Sequence, residues 1–242
     1  MSDYRDDFYA RYHLTLDSPQ EPDAGHYERC ARELRRRWGH WLPADKSGAI
    51  LDLGCGQGEF LYFLRSQGYQ NISGVDLCEG ELARARRLGL PDLICANVFD
   101  YLPGQQERFE VIAALNFFEH LRKEEILKAL ELIYLALKPH GRVLAVTPNG
   151  VSPFAGSTRY WDFSHETGFT PSSWRQLARL TGFQGMAFEE YGPLPLSILG
   201  AVRCALWQAV RLGLDMVSRL EVGRSRDISR VYTADIKVIL TK

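Results

Sequence analysis

ILDLGCGQGEF, spanning Ile50 to Phe60, begins as a short apolar run and then places Gly54, Gly56 and Gly58 within five positions. A continuous apolar run that halts at glycine has the pattern of a strand buried inside a parallel sheet. Glycine lets the backbone take left-handed turns and lets a ligand come close to the main chain. The next stretch, Gly58 to Gly68, is amphipathic at helical spacing. The turn therefore delivers backbone N–H groups at the start of a helix, where polar ligand groups are bound. The dinucleotide fingerprint G-x-G-x-x-G needs its third glycine one residue later than Gly58. The turn is thus an imperfect pyrophosphate loop, and an NAD-dependent oxidoreductase is the weaker reading of it.

Outward from that turn, strand-like and helix-like stretches alternate. Asn71–Leu77 reads as a second strand, Glu79–Gly89 as a second helix and Asp92–Val98 as a third strand. Phe109–Leu121 reads as a fourth strand running into a loop. Lys123–Gly141 reads as one long helix stopped by Pro139, His140 and Gly141, and Arg142–Asn149 as a fifth strand. Thr170–Phe183 reads as a helix with a Thr-Pro start. Gly185–Gly192 and Val231–Lys242 read as the last two strands. This alternation predicts an α/β fold: a doubly wound sheet with right-handed crossovers and a ligand at the carboxyl ends of its strands. Two parts stand outside the pattern. One is an N-terminal arm or lid over residues 1–43, in which Tyr27–Trp41 carries apolar groups at helical spacing. The other is a helical insertion over about residues 192–229. The sheet domain takes residues 44–242.

The 242 residues suffice for one such domain with a full core. The formal net charge of -1 supplies no surplus of positive charge for nucleic acid, and Arg32, Arg35, Arg36 and Arg37 read as a solvated helix face. The five cysteines, Cys30, Cys55, Cys78, Cys95 and Cys204, are odd in number and contain no C-x-x-C pair. That pattern predicts reduced thiols and a cytoplasmic protein. The polar, acidic opening MSDYRDDFYARYH does not read as a signal peptide.

Asp76, at the end of the second strand, stands where an acid binds ribose hydroxyls. With it, the glycine turn resembles the first motif of the class I S-adenosylmethionine-dependent methyltransferases. GVDLCEG, CANVFDYLP, VIAALNFFEHL and LALKPHGRVLAVTPN resemble the motifs that follow, in order and spacing from Ala49 to Asn149. The resemblance implies a Rossmann-like seven-stranded sheet ordered 3-2-1-4-5-7-6 with its last strand antiparallel, and S-adenosylmethionine as cofactor. It also implies site residues. Asp52, Gly54, Cys55, Gly56 and Gly58 would form the methionine and ribose side of the pocket. Asp76 would hold the ribose hydroxyls and Leu77 would lie beside adenine. Asn97, where the family more often has Asp, would meet the adenine edge with Val98. Asn116 and Phe117 would flank the methionine end.

Methyl transfer from a sulfonium is an in-line displacement that depends on positioning and exclusion of water. An alcohol acceptor must also lose its proton, so a base is useful. His120, in NFFEHL, and His165, in RYWDFSHETGFT, are the candidates. Asp162 or Glu166 beside His165 would raise its pKa. Tyr160 and Trp161 alongside these polar groups suit a sugar-like acceptor, because ring faces stack on C–H surfaces. The same loop resembles a branch of the family associated with polysaccharide and other sugar methylation. Tyr12, in an arm segment that also holds Phe8, Tyr9 and His13, joins Tyr160, Trp161 and Glu166 as substrate-binding candidates. The expected partner is a small-molecule or glycan acceptor, with no nucleic acid. A lipid-like quinone and a non-catalytic S-adenosylmethionine-binding module are the alternatives. No H-x-x-x-H or Cys/His array in the sequence suggests a dedicated metal site. Residues 193–221 are strongly apolar, with Arg203, Arg211, Asp215 and Arg219 at helical spacing. They could form a lid, a homodimer contact or a peripheral contact with the inner membrane face, anchored by Trp207.

Overall fold

β1 (Ile50–Leu53) is the central strand, paired in parallel with β2 (Ile72–Asp76) on one side and β4 (Phe109–Leu115) on the other. It is described in a computed structural model covering residues 4–14, 24–90, 92–223 and 230–242. β3 (Leu93–Cys95) extends the sheet beyond β2, and β5 (Leu137–Pro148) beyond β4. β7 (Asp235–Thr241) runs antiparallel between β5 and the edge strand β6 (Gly185–Glu190). The order is therefore β3-β2-β1-β4-β5-β7-β6, as the motifs imply. The chain reverses its winding between β1 and β4, and a ligand site opens at such a switch point.

Alternation along β1 divides the core into two layers. Leu51 and Leu53 face α6 (Lys123–Ala136) and α8 (Pro171–Leu180), through residues such as Ile126, Ile133 and Trp174. Ile50 faces the other side, with Leu34 and Trp38 of α2 (Ala24–Trp38) and Phe63 and Leu64 of α3 (Glu59–Ser66). Each such side chain, fully out of water, contributes roughly 1.5–3 kcal/mol. The expected arm over residues 1–43 therefore divides. α2 is part of the domain body, while α1 (Tyr4–Ala10) lies over the ligand cavity.

Three boundaries differ from the sequence reading. α2 begins at Ala24 and stops at Trp38, before Gly39, rather than running from Tyr27 to Trp41. α6 ends at Ala136, and Leu137 already pairs with Phe109. Pro139 cannot donate to a helix and disfavours helical backbone at Lys138, so residues 138–141 form a bulge before β5 resumes at Arg142. β3 is only three residues long. Asn97 turns the chain into α5 (Val98–Tyr101) by accepting the Phe99 N–H at 3.0 Å. α4 (Glu79–Arg87) and α7 (Ala155–Arg159) complete the connections before the insertion.

The insertion is α9 (Ile198–Val222), capped by Ser197. It touches the body through Trp207, whose Nε1 donates to Glu190, and through Asp215, which accepts from the Tyr232 hydroxyl. Trp207 thus faces inward and is no outward anchor. Much of the apolar surface of α9 is exposed, with Ile198 at 88% and Leu220 at 81%. Among the described residues, no helix is long and apolar enough to cross a membrane.

Candidate active site

A cavity of about 330 Å³ opens at the carboxyl ends of β1, β2 and β4. Its floor is the glycine turn. Gly54, Gly56 and Gly58 all have positive φ, at 68°, 48° and 83°. The three do different work. A Cβ on Gly54 would press on the Phe117 ring at 3.1 Å, and one on Gly58 would strike Leu90 Cδ1 at 2.5 Å. A Cβ on Gly56 would meet nothing within 4 Å. Gly56 therefore faces open cavity, while Gly58 keeps α3 close to its neighbours. Gly58 does not line the cavity, and neither do Asp52 and Cys55. Cys55 is buried in the apolar layer on the α3 side. Those three expected cofactor contacts are wall residues one layer back.

Asp76 holds the turn. Its Oδ2 accepts the Gly56 N–H at 2.9 Å and its Oδ1 accepts the Cys78 N–H at 2.8 Å. Burial raises its pKa, and the backbone donors only partly offset this. Each carboxylate oxygen keeps a second lone pair. Leu77, Asn97, Val98, Asn116 and Phe117 also line the cavity. Asn97 spends its Oδ1 on the helix cap and keeps its Nδ2 for a ligand. Asn116 has a positive φ of 55°, a conformation that asparagine tolerates better than most residues. An exposed apolar face, a turn of bare backbone and a strand-end carboxylate fit a nucleoside with an amino-acid tail.

At the far end stands His120, on a 3-10 turn (Phe118–His120) after β4. Its Nδ1 is 2.8 Å from Ser164 Oγ. Ser164 Oγ donates to Asp162 Oδ1 at 2.7 Å, and Tyr12 donates to Asp162 Oδ2 at 2.6 Å. Ser164 gives its own proton to Asp162, so it accepts from His120, and Nδ1 carries the ring's proton. Nε2 keeps its lone pair. Burial, then His165, push the His120 pKa down to about 4. Burial raises Asp162, but the Tyr12 and Ser164 hydroxyls outweigh it and leave the carboxyl below its usual value.

His165 sits behind His120, with ring centroids 4.9 Å apart, and does not line the cavity. Its Nδ1 faces the carbonyl oxygens of Thr158 and Arg159 at 3.1 and 3.3 Å. Burial lowers its pKa more than Asp162 raises it. The expected raised pKa is therefore corrected, because desolvation exceeds the carboxylate's pull. Glu166 accepts from the Tyr4 hydroxyl at 2.6 Å. Tyr160 and Trp161 are 80% and 75% exposed and lie outside the cavity. Tyr12 lines it, together with Tyr9 and Arg5, which the sequence did not single out as site residues. Arg5 makes a two-pronged bond to Glu125, at 2.7 and 2.6 Å, and so fastens α1 over the opening. Glu119 was also missed. It is 1% exposed, its Oε2 has no hydrogen-bond partner, and burial raises its pKa to about 8.

The sheet order and the turn, carboxylate and asparagine around one cavity define the class I methyltransferase architecture. Residues 24–187 match the family model described as a methyltransferase domain. The chain belongs to that family. It is similar over its whole length to a SAM-dependent methyltransferase from Archaeoglobus fulgidus, with a TM-score of 0.68 and 19% identity, covering 99% of this chain and 100% of that one. It also resembles phosphoethanolamine N-methyltransferase 2 of Haemonchus contortus, solved with S-adenosyl-L-methionine. There the TM-score is 0.62 and identity 16%, over 100% of this chain and 58% of that one. In sequence it is 27% identical to the protein named putative methyltransferase YqeM of Bacillus subtilis (strain 168), over 45% of this chain and 46% of that protein. It is 27% identical to a probable fatty acid methyltransferase of Pseudomonas putida, over 54% of this chain and 32% of that protein. The matched regions thus span less than half the length of either curated relative.

Proposed function

We propose that the protein methylates a hydroxyl oxygen of a sugar-like acceptor, free or within a glycan, held at the His120 end of the cavity. The observation that carries this reading is the chain Tyr12–Asp162–Ser164–His120. It fixes a neutral imidazole with an available lone pair at the cavity wall, and a hydroxyl acceptor has a proton to give. S-adenosylmethionine, when bound, supplies an electrophilic methyl group. Gly54 and Gly56 would lie along its methionine and ribose, Asp76 would accept from the ribose hydroxyls, and Leu77, Asn97 and Val98 would border adenine. Asn116 and Phe117 would flank the methionine end. Tyr9 and Tyr12 exclude water from the transfer site, and Tyr160, Trp161 and Glu166 offer a stacking and hydrogen-bonding surface for further sugar units.

The test is transfer of labelled methyl from S-adenosylmethionine to nucleotide sugars and lipid-linked glycans, with the product bond identified by NMR. An O-methyl product is expected. A product methylated at nitrogen or carbon, or transfer to a quinone in preference to every sugar, would overturn the assignment. His120→Ala should reduce turnover ~10²-fold or more while affinity for S-adenosylmethionine holds.

The source of the acceptor is a second matter. α9 presents Ile198, Leu199, Leu206 and Leu220 to solvent alongside Arg203 and Arg219. We propose that this face rests on an anionic membrane surface, placing the cavity near a lipid-carried acceptor. Dimerisation through residues 193–221 is the competing use of the same face.

A further inference from the structure

Behind the acceptor end of the cavity, one ligand atom each of Glu119, His120 and His165 lies within 4.8 Å of the others. Two imidazoles and one carboxylate form a donor set suited to first-row divalent metals such as Zn²⁺, Mn²⁺, Fe²⁺ or Co²⁺. Proximity alone proves little, and two further observations bear on it. Glu119 Oε2 is buried with no partner. A buried carboxylate without a partner is costly, and the Asp162 and Asp235 carboxylates add to the cost. No Lys or Arg forms an ion pair with Glu119 among the described residues. The second observation is how the imidazoles are held. His165 is fixed at Nδ1 by the Thr158 and Arg159 carbonyls, and His120 at Nδ1 by Ser164, which Asp162 orients in turn. Metal-ligating histidines are oriented in this manner, with one nitrogen tied to an acceptor and the other left as the donor.

We propose that Glu119, His120 and His165 bind one divalent transition-metal ion at the inner wall of the methyl-transfer cavity. With metal–ligand bonds of about 2.0–2.2 Å in a tetrahedral set, donor atoms lie roughly 3.3–3.6 Å apart. Side-chain rotation would have to draw in any pair that now stands near the 4.8 Å limit. The ion would offset the charge of Glu119, and His120, which alone of the three lines the cavity, marks the side from which an oxygen-bearing acceptor would reach it. The base role of the His120 lone pair therefore belongs to the metal-free protein; with the ion bound His120 is a ligand, and an acceptor hydroxyl acidified on the ion would give up its proton to solvent. This inference concerns the cavity wall and stands whether the acceptor is a sugar or a lipid.

Co²⁺ titrated into the chelator-treated full chain tests it. Intense visible d–d bands should develop and saturate at one ion per chain, with Zn²⁺ displacing them. Glu119→Gln and His165→Gln should lose the bands while still binding S-adenosylhomocysteine. Asp162→Asn, which disturbs only the orienting shell, should weaken metal affinity ~10-fold or more. No bands in the parent protein, or bands that persist in both ligand variants, would overturn the proposal. Where a variant fails to fold, the parent decides: bound Co²⁺ must shift the ring protons of His120 and His165 and spare those of His26 and His40. Metal binding without O-methyl transfer would refute the acceptor reading alone.

Discussion

Glu119 shows what a single residue contributes at this site. Its carboxyl is fully buried, and desolvation raises its pKa from 4.5 to about 8. Between those values the unfolded chain ionises the group and the folded protein keeps it protonated, so folding takes up a proton. For an acid with a raised folded pKa, the stability it allows is present in full below the unfolded value and is lost as pH rises through the folded one. Metal-free protein should therefore lose stability from about pH 4.5 to about pH 8 through this group. Glu119→Gln, which is neutral throughout, should be more stable than the parent at pH 8 by ~1 kcal/mol or more and should lose that advantage at pH 4.5. Denaturant unfolding at the two pH values measures the difference. Equal stability of the two proteins at pH 8 under chelation would mean that Glu119 already has a counter-charge.

Between elements, α1 is the piece that completes the cavity, and Arg5 is its fastening. The Arg5–Glu125 pair is largely shielded, with side chains 16% and 23% exposed, and Glu125 also caps the start of α6 through the Arg122 N–H. Arg5→Ala should loosen the lid by ~1 kcal/mol. S-adenosylmethionine should then dissociate several-fold faster, with little change in thermal stability, since α1 covers the site and does not fill the core. Stopped-flow dissociation reads this directly, and an unchanged off-rate would show that α1 does not gate the site. The sequence marks the element order well, because glycine turns and apolar runs are local signals, and so is the cap that Asn97 makes. It could not show that Arg5 reaches Glu125 or that Ser164 links His120 to Asp162. Those contacts join residues 120 and 44 positions apart, and no period or spacing encodes them. Ser164, two residues after Asp162, had the spacing of a local side-chain turn and was the one legible clue. The helix read over Lys123–Gly141 ends at Ala136 instead, because Pro139 disfavours helical backbone at Lys138.

On the scale of the molecule, the two ends of the chain's apolar budget differ. The inner strands β1, β2, β4 and β7 are largely buried on both faces, while α9 leaves Ile198, Leu199, Val202, Leu206, Val210, Leu212, Met216, Val217 and Leu220 in water. Burying even a few such side chains supplies several kcal/mol at about 25 cal/mol per Å², so a helix of this kind gains from any apolar surface it meets. Arg203, Arg211 and Arg219 against Asp215 and Glu221 leave the helix cationic, which favours an anionic lipid interface over a like-charged second copy. The protein should co-sediment with vesicles containing phosphatidylglycerol, less with purely zwitterionic vesicles, and less again at high salt as the arginines are screened. Leu206→Asp with Leu220→Asp should abolish sedimentation while S-adenosylmethionine binding persists, because neither residue lines the cavity. If the parent instead stays in the supernatant and runs as a dimer that this pair of changes splits, α9 is an interface between copies. The acceptor then reaches the His120 end of the cavity from solution rather than from a membrane.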